Sequence, residues 1–416
     1  MKEGGWQRPG RVAGYNDGGF GLESTDSFCA NTIVRTKLPG FRLQSRRPDV
    51  TFAIMPPGTV MTSSDENGAG ISAGRAALLF CVFFLIACGL GYPVLNRFDP
   101  RQTPGLTDVR AYASLVTGDA NLDAGGKLYR GFRVLVPWVA RPFYRLARGR
   151  VGSWDPVMFG LLVADSLFVA GTAVLIVILG NRQLGRSAAG LVGALLYLVN
   201  FAVPNLRLVG LVDAGEGFFL LALLWSLWES ELWALPLIAV LGALTKESFI
   251  PFSMVLTFAW WLLFSRFSNP PDRNLDRSRA RSRALSAAAW ILASWIASLA
   301  AMIGLQWSMT GSFVSPLQFG LALHRTGGDN FAVSLHDRSL WYIFLWLLPT
   351  AIPNLKRFPK SWLIPVGAAC AMAFILDAYF GGTPGAAGRA LFSIAGPVLS
   401  LSSALFLLRI AGTDEL

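Results

Sequence analysis

Residues Asp99 to Arg150 read DPRQTPGLTDVRAYASLVTGDANLDAGGKLYRGFRVLVPWVARPFYRLARGR. The stretch lies between the first long apolar run and the second, and most of it is too polar to cross a bilayer. It holds Asp99, Asp108, Asp119 and Asp123 among many arginines. Its second half decides the topology. Taken as a span from Phe132 to Leu146, it would turn over every later segment. However, it carries Arg133, Arg141, Arg145 and two prolines. Its apolar residues (Val134, Leu135, Trp138, Val139, Phe143, Leu146) recur at helical spacing with arginines between them. That pattern predicts an amphipathic helix lying in the membrane interface.

The rest of the chain is far more apolar. Of 416 residues, 53% are hydrophobic and only 15% charged, with a mean hydropathy of +0.48. A soluble domain carries about 25% charged residues, so the composition indicates an all-α, polytopic integral membrane protein. Net charge is +11 and the isoelectric point about 9.9. The arginines flank apolar runs, which fits positive-inside topology and headgroup contact rather than nucleic acid. Cys29, Cys81, Cys88 and Cys370 are scattered with no CxxC pair, so neither a disulfide framework nor a zinc site is indicated.

Residues 1–74 contain no run long enough to span and are rich in Gly, Ser, Asp, Arg and Pro, which predicts a disordered tail. Met61 is an alternative start just ahead of the first span. Runs of about 18 or more apolar residues are read as spans. They predict ten transmembrane helices in a domain covering 75–410: 75–94, 157–180, 187–204, 211–229, 232–246, 248–266, 285–307, 339–354, 362–380 and 389–410. A short tail, 411–416, follows. Arg273, Arg277, Arg279, Arg281 and Arg283 make the loop after the sixth run the strongest cytoplasmic marker. Lys356, Arg357, Lys360, Arg182 and Arg186 agree with both termini being cytoplasmic. Polar groups then gather on the outer face, in loops 95–156 and 308–338 and in the turns PNLRLVGLVDAGEG, LTKES and GGTPGAAGR.

Several of these groups could do chemistry, and each also has a plain structural reading. Asp108, followed by Tyr112 in LTDVRAYASLV, is either a helix cap or a general base for an acceptor hydroxyl. Arg130 and Arg133, in LYRGFRVLVP, either snorkel to headgroups or hold phosphate through their planar guanidinium groups. Asp213 and Glu216 open a span, where acids suit the helix dipole. Lys246 and Glu247 sit between two short apolar runs, and Asp165 and Asp377 fall inside longer ones. Ionisable groups at such depth are costly and are functional candidates. Arg389, after a glycine-rich loop, is either an interface anchor or an anion ligand at a helix start. His324 and His336, with Asp329 and Asp337, match no standard metal spacing, so no metal or other cofactor is indicated.

The order of features resembles a known family. A first span is followed by an outer loop with Asp108 before Tyr112 and then by YRGFRVLVPWVAR. An Asp213-led span, a Lys246–Glu247 turn and an Arg389-led final span come later. This is similar to the bacterial polytopic glycosyltransferases of the GT-C type, the group that includes the dolichol-phosphate-mannose and aminoarabinose transferases. The resemblance implies an extracytoplasmic active site in a bacterial inner membrane and a sugar donor carried on a polyprenyl phosphate. It also implies inverting transfer to a hydroxyl on a glycan, lipid or protein acceptor. By that resemblance Asp108 matches the catalytic acid of the first loop, and Arg389 matches a ligand for the lipid phosphate. Many members have two adjacent acids in that loop, whereas here Val109 and Arg110 follow Asp108. The rival reading is a transporter or flippase of a lipid-linked or anionic solute, using Asp165, Asp377 and Lys246 as intramembrane groups. A structural or assembly subunit is the third reading.

Overall fold

A computed structural model describes residues 71–97, 107–118, 132–267, 274–311, 332–333, 335–380 and 385–412. The N-terminal tail up to residue 70, Met61, Asp99, Asp119, Asp123, Arg130, Arg273, His324 and Asp329 lie outside the described residues. Those that are described are helical, with no strand among them.

The helices follow chain order: α1 Ala73–Gly91, α2 Thr107–Thr117, α3 Leu135–Ala147, α4 Pro156–Leu184, α5 Ser187–Val199, α6 Asp213–Trp228, α7 Leu235–Thr245 and α8 Phe249–Phe267. They continue with α9 Asn274–Thr310, α10 Arg338–Phe344, α11 Leu347–Leu355, α12 Lys360–Phe380 and α13 Ala386–Ile410. Local chemistry explains several boundaries. Ser72 accepts a hydrogen bond from the Arg75 amide and starts α1. Asp155 accepts from the amides of Val157 and Met158, with Pro156 in the first turn, and starts α4. Gly185, at φ 63°, ends α4 in the left-handed region that glycine adopts at least cost.

Five helical segments among the described residues are long and apolar enough to cross a membrane: Ala73–Asn96, Pro156–Leu184, Arg281–Met309, Lys360–Ala378 and Ala386–Ile410. The apolar stretches Ser187–Val199, Leu232–Thr245 and Phe249–Ser265 are shorter. The expected span 339–354 is divided into α10 and α11, each under ten residues. The basic loop before the seventh expected span is also shorter than the sequence suggests. Helix α9 begins at Asn274 and takes in the arginine positions from Arg277 to Arg283 as continuous helix.

Two helices form the centre. Most of the apolar window of α4 is buried, as is that of α13, whereas α1, α9 and α12 are buried on one side only. The outer sides of α9 present Trp290, Leu292, Ile296, Ile303 and Trp307, a surface suited to lipid tails. Small residues let the central helices approach closely. A β-carbon on Gly180 would lie 2.4 Å from the Gly190 Cα, so the α4–α5 hairpin closes backbone to backbone. A β-carbon on Gly160 would lie 2.8 Å from the Ala140 carbonyl, which seats α3 on α4. Hydroxyls tie α13 to α11: Ser402 donates to the Ala351 carbonyl at 2.6 Å, and Ser403 meets Thr350 at 2.8 Å. At the end of α6, Trp228 stacks on Trp362 of α12 with ring centroids 3.7 Å apart and planes within 7°.

Candidate functional site

The starts of α2, α6 and α13, the approach to α3 and the turn from α7 into α8 meet at one end of the domain. The turn Lys246–Ser248 is short because α7 stops at Thr245, and Lys246 is in an extended conformation. Gly215 lets the first turn of α6 sit on this point: a β-carbon there would lie 2.8 Å from Thr245 Cγ2 and 3.0 Å from Val136. The ionisable side chains of five helix ends are thereby drawn together.

Asp213 is the centre of the cluster. Its Oδ1 accepts from Lys246 Nζ at 2.7 Å and its Oδ2 accepts from Arg389 Nη1 at 3.3 Å. It stands in the first turn of α6, just after the N-cap residue Val212, where an acid suits the helix dipole. Lys246 Nζ also reaches Glu216 Oε2 at 3.3 Å, and Ser248 donates its hydroxyl to Glu216 Oε1. Glu216 is fully buried, so the lysine and the serine replace the water it has lost.

A second pair adjoins the first. Arg133 Nε donates to Glu247 Oε2 at 2.7 Å, its Nη2 meets Oε1, and its Nη1 donates to the Tyr112 hydroxyl at 2.8 Å. This is the two-point geometry that suits guanidinium to carboxylate. Burial works against the Glu247 carboxylate, but the Arg133 guanidinium and then Lys246 outweigh it and hold its pKa below the usual range. Burial pushes the Tyr112 phenol up, against the pull of Arg133. Asp108, in the first turn of α2, is half-buried and acts electrostatically on both Tyr112 and Arg389.

The arrangement brings together Asp108, Tyr112, Arg133, Asp213, Lys246, Glu247 and Arg389. Arg130 lies outside the described residues. The other marked groups stand elsewhere. Asp377 is buried in α12. His336 is exposed with its Nδ1 2.7 Å from the Ala332 carbonyl, and Asp337 caps α10 through the Ser339 amide. Asp165 is buried in α4 close to Asp213.

The structure adds residues that the sequence did not mark. Arg207 is 2% exposed. Its Nη1 donates to the Tyr197 hydroxyl at 2.8 Å and its Nη2 to Ser393 Oγ at 3.0 Å. The guanidinium lies 4.9 Å from the Phe392 ring centroid and 5.6 Å from that of Tyr197, and those two rings stack on one another. Ser393 Oγ is in turn 3.5 Å from Glu216 Oε2, so Arg207 touches the cluster through that hydroxyl. The available signal was a single arginine among apolar residues six positions before Asp213.

The chemical capacity is uneven across the cluster. Glu216 and Arg207 form a closed floor. Lys246, Arg389, Arg133 and Glu247 keep side-chain exposures of 15%, 17%, 10% and 23%, so the upper edge can meet a ligand. There, cations able to hold an anion stand beside carboxylates able to accept a proton. Comparison with family models, with curated proteins and with solved structures returns no match.

Proposed function

We propose that the chain is a membrane glycosyltransferase that moves a sugar from a polyprenyl-phosphate donor to an acceptor hydroxyl. The observation that carries the reading is convergence. Asp108, Tyr112, Arg133, Asp213, Lys246, Glu247 and Arg389, from segments up to 281 positions apart, occupy one partly open cluster at helix ends. Arg389 has one of the longest ion pairs in the cluster and is the cation best able to exchange a carboxylate for a phosphate. Arg133, fixed by Glu247 and Tyr112, supplies the second guanidinium. Asp108 takes the proton of the acceptor hydroxyl as its oxygen attacks the sugar carbon and the polyprenyl phosphate leaves. Asp213, Glu216 and Lys246 form the frame that fixes these groups.

The reading includes a placement. Helix α3 lies in the interface, the short helices complete about ten crossings, the cluster faces outward, and both termini face the cytoplasm of a bacterial inner membrane. The acceptor, whether glycan, lipid or protein, approaches from the outer loops. The test is donor turnover in liposomes, following release of free polyprenyl phosphate from labelled donors. Asp108→Asn is expected to lower release by about 10²–10⁴-fold, the usual size of a lost general base. Release at the wild-type rate in this variant would remove Asp108 from the mechanism. Movement of the lipid across the bilayer without release would support the transporter instead, a reading that the buried carboxyl of Asp165 favours.

A further inference from the structure

Asp165 stands apart from the other acids of the domain. It lies nine residues beyond the start of α4, roughly 14 Å along the helix axis at 1.5 Å per residue. Its side chain is fully buried, and neither carboxylate oxygen has a hydrogen-bond partner. The Gly210 amide is the backbone donor that acts on it, and the hydroxyl of the adjacent Ser166 is also buried without a partner. The charged groups acting on Asp165 are Asp213, from the first turn of α6, and Arg207, from the segment before it. Neither forms an ion pair with it. Arg207 spends its two terminal nitrogens on Tyr197 and Ser393, and Asp213 is held by Lys246 and Arg389. From α1, Cys88 approaches the neighbouring Ser166.

A carboxylate in such a place has lost its water and gained no side-chain donor, whereas the neutral acid loses far less on leaving water. Every other acid in the cluster has a lysine, an arginine or a hydroxyl against it, or acts on one. We propose that Asp165 is a proton-binding site in the interior of the membrane domain, exchanging its proton through the adjacent Asp213 end of the ionic cluster. Atoms balance simply: the proton leaves the Asp165 carboxyl oxygen for water or for a carboxylate of the cluster, and returns by the same route. The site is independent of whether the cluster transfers sugars or moves a solute.

The experiment uses the full chain in lipid nanodiscs and dicyclohexylcarbodiimide, an apolar reagent that modifies carboxyl groups carrying a proton. Adducts are mapped by mass spectrometry across a pH series in wild type and Asp165→Asn, a near-isosteric change. Expected is an adduct on the peptide containing Asp165. Its yield should fall about tenfold per pH unit above the midpoint, as for one titrating group, and vanish in Asp165→Asn. Infrared spectra on the same samples cover the case in which the reagent fails to enter. Wild type should show a protonated-carboxyl C=O band at neutral pH that Asp165→Asn lacks. A carboxylate band assigned to Asp165 at neutral pH, with no adduct, overturns the proposal.

Discussion

Among single residues, the most demanding arrangement is the box around Arg207. A β-carbon on Gly217 would lie 2.3 Å from Arg207 Nη1 and 2.8 Å from Nη2, so any side chain there displaces the guanidinium. Gly217→Ala is expected to break the bonds to Tyr197 and Ser393 and to lower stability by about 1–3 kcal/mol, as read from thermal unfolding in detergent. Glu247 gives a prediction in pH. Its pKa is held below the ordinary carboxylate range in the folded protein, so the Arg133 pair stabilises fully above that range. The contribution is lost as pH falls through the folded value. Melting temperature should therefore drop on acidification below about pH 4, and the drop should be smaller in Glu247→Gln. An equal acid response in both proteins would assign it to other groups. At this scale most ions at the edge of an apolar run could be marked from the sequence, as Asp108, Arg133, Asp213, Lys246, Glu247 and Arg389 were, whereas Arg207 in the same kind of position was not. Ser248 and Ser393 did not, because a serine in an apolar helix is common and only contact distinguishes it. Tyr197 and Phe392 read as ordinary core residues for the same reason.

Helices introduce a different constraint, the distance of approach. Gly180 and Gly190 allow α4 and α5 to touch through their backbones, and a β-carbon on Gly190 would lie 2.7 Å from the Val177 carbonyl. Gly367, inside α12, has nothing within 4 Å of the same position. Gly190→Ala is thus expected to destabilise by about 1–3 kcal/mol through overpacking. Gly367→Ala should be neutral or stabilise by up to about 1 kcal/mol through helix propensity. Unfolding in detergent monitored by circular dichroism distinguishes the two, and equal losses would discount the close crossing. Helix existence was legible in the apolar runs, and the α7–α8 turn was legible in Lys246 and Glu247. Helix ends were less so. The arginines of 277–283 marked a polar segment correctly, yet arginine is a good helix former, so the segment continues as α9 instead of forming a loop. The run 339–354 has no charge within it after Arg338, but the chain still breaks between Phe344 and Leu347. Hydropathy responds to solubility in hydrocarbon and carries no information on such a break.

For the whole molecule, the ionic cluster joins segments that are distant in sequence, and Lys246 is its shared member. Removing one partner of a buried ion pair leaves uncompensated charge and costs about 3–5 kcal/mol. Lys246→Met should show a loss of that order, from stranded Asp213 and Glu216 together. Adding Glu216→Gln should recover part of it. A double variant as unstable as the single one would mean that packing, not charge, explains the loss. The convergence itself was not legible in the sequence. Individual ions could be marked, but their meeting depends on Gly215, Gly160 and the short turn after Thr245, whose effects appear only when five helix ends are assembled. The stack of Trp228 on Trp362 adds an optical property to this assembly. Two indoles nearly parallel and 3.7 Å apart share their excited states, and the resulting near-ultraviolet signal depends steeply on their separation. The protein therefore carries an intrinsic, label-free gauge between α6, which begins at the ionic cluster, and α12 on the periphery. Any displacement of α6 along its axis relative to α12 will change that signal.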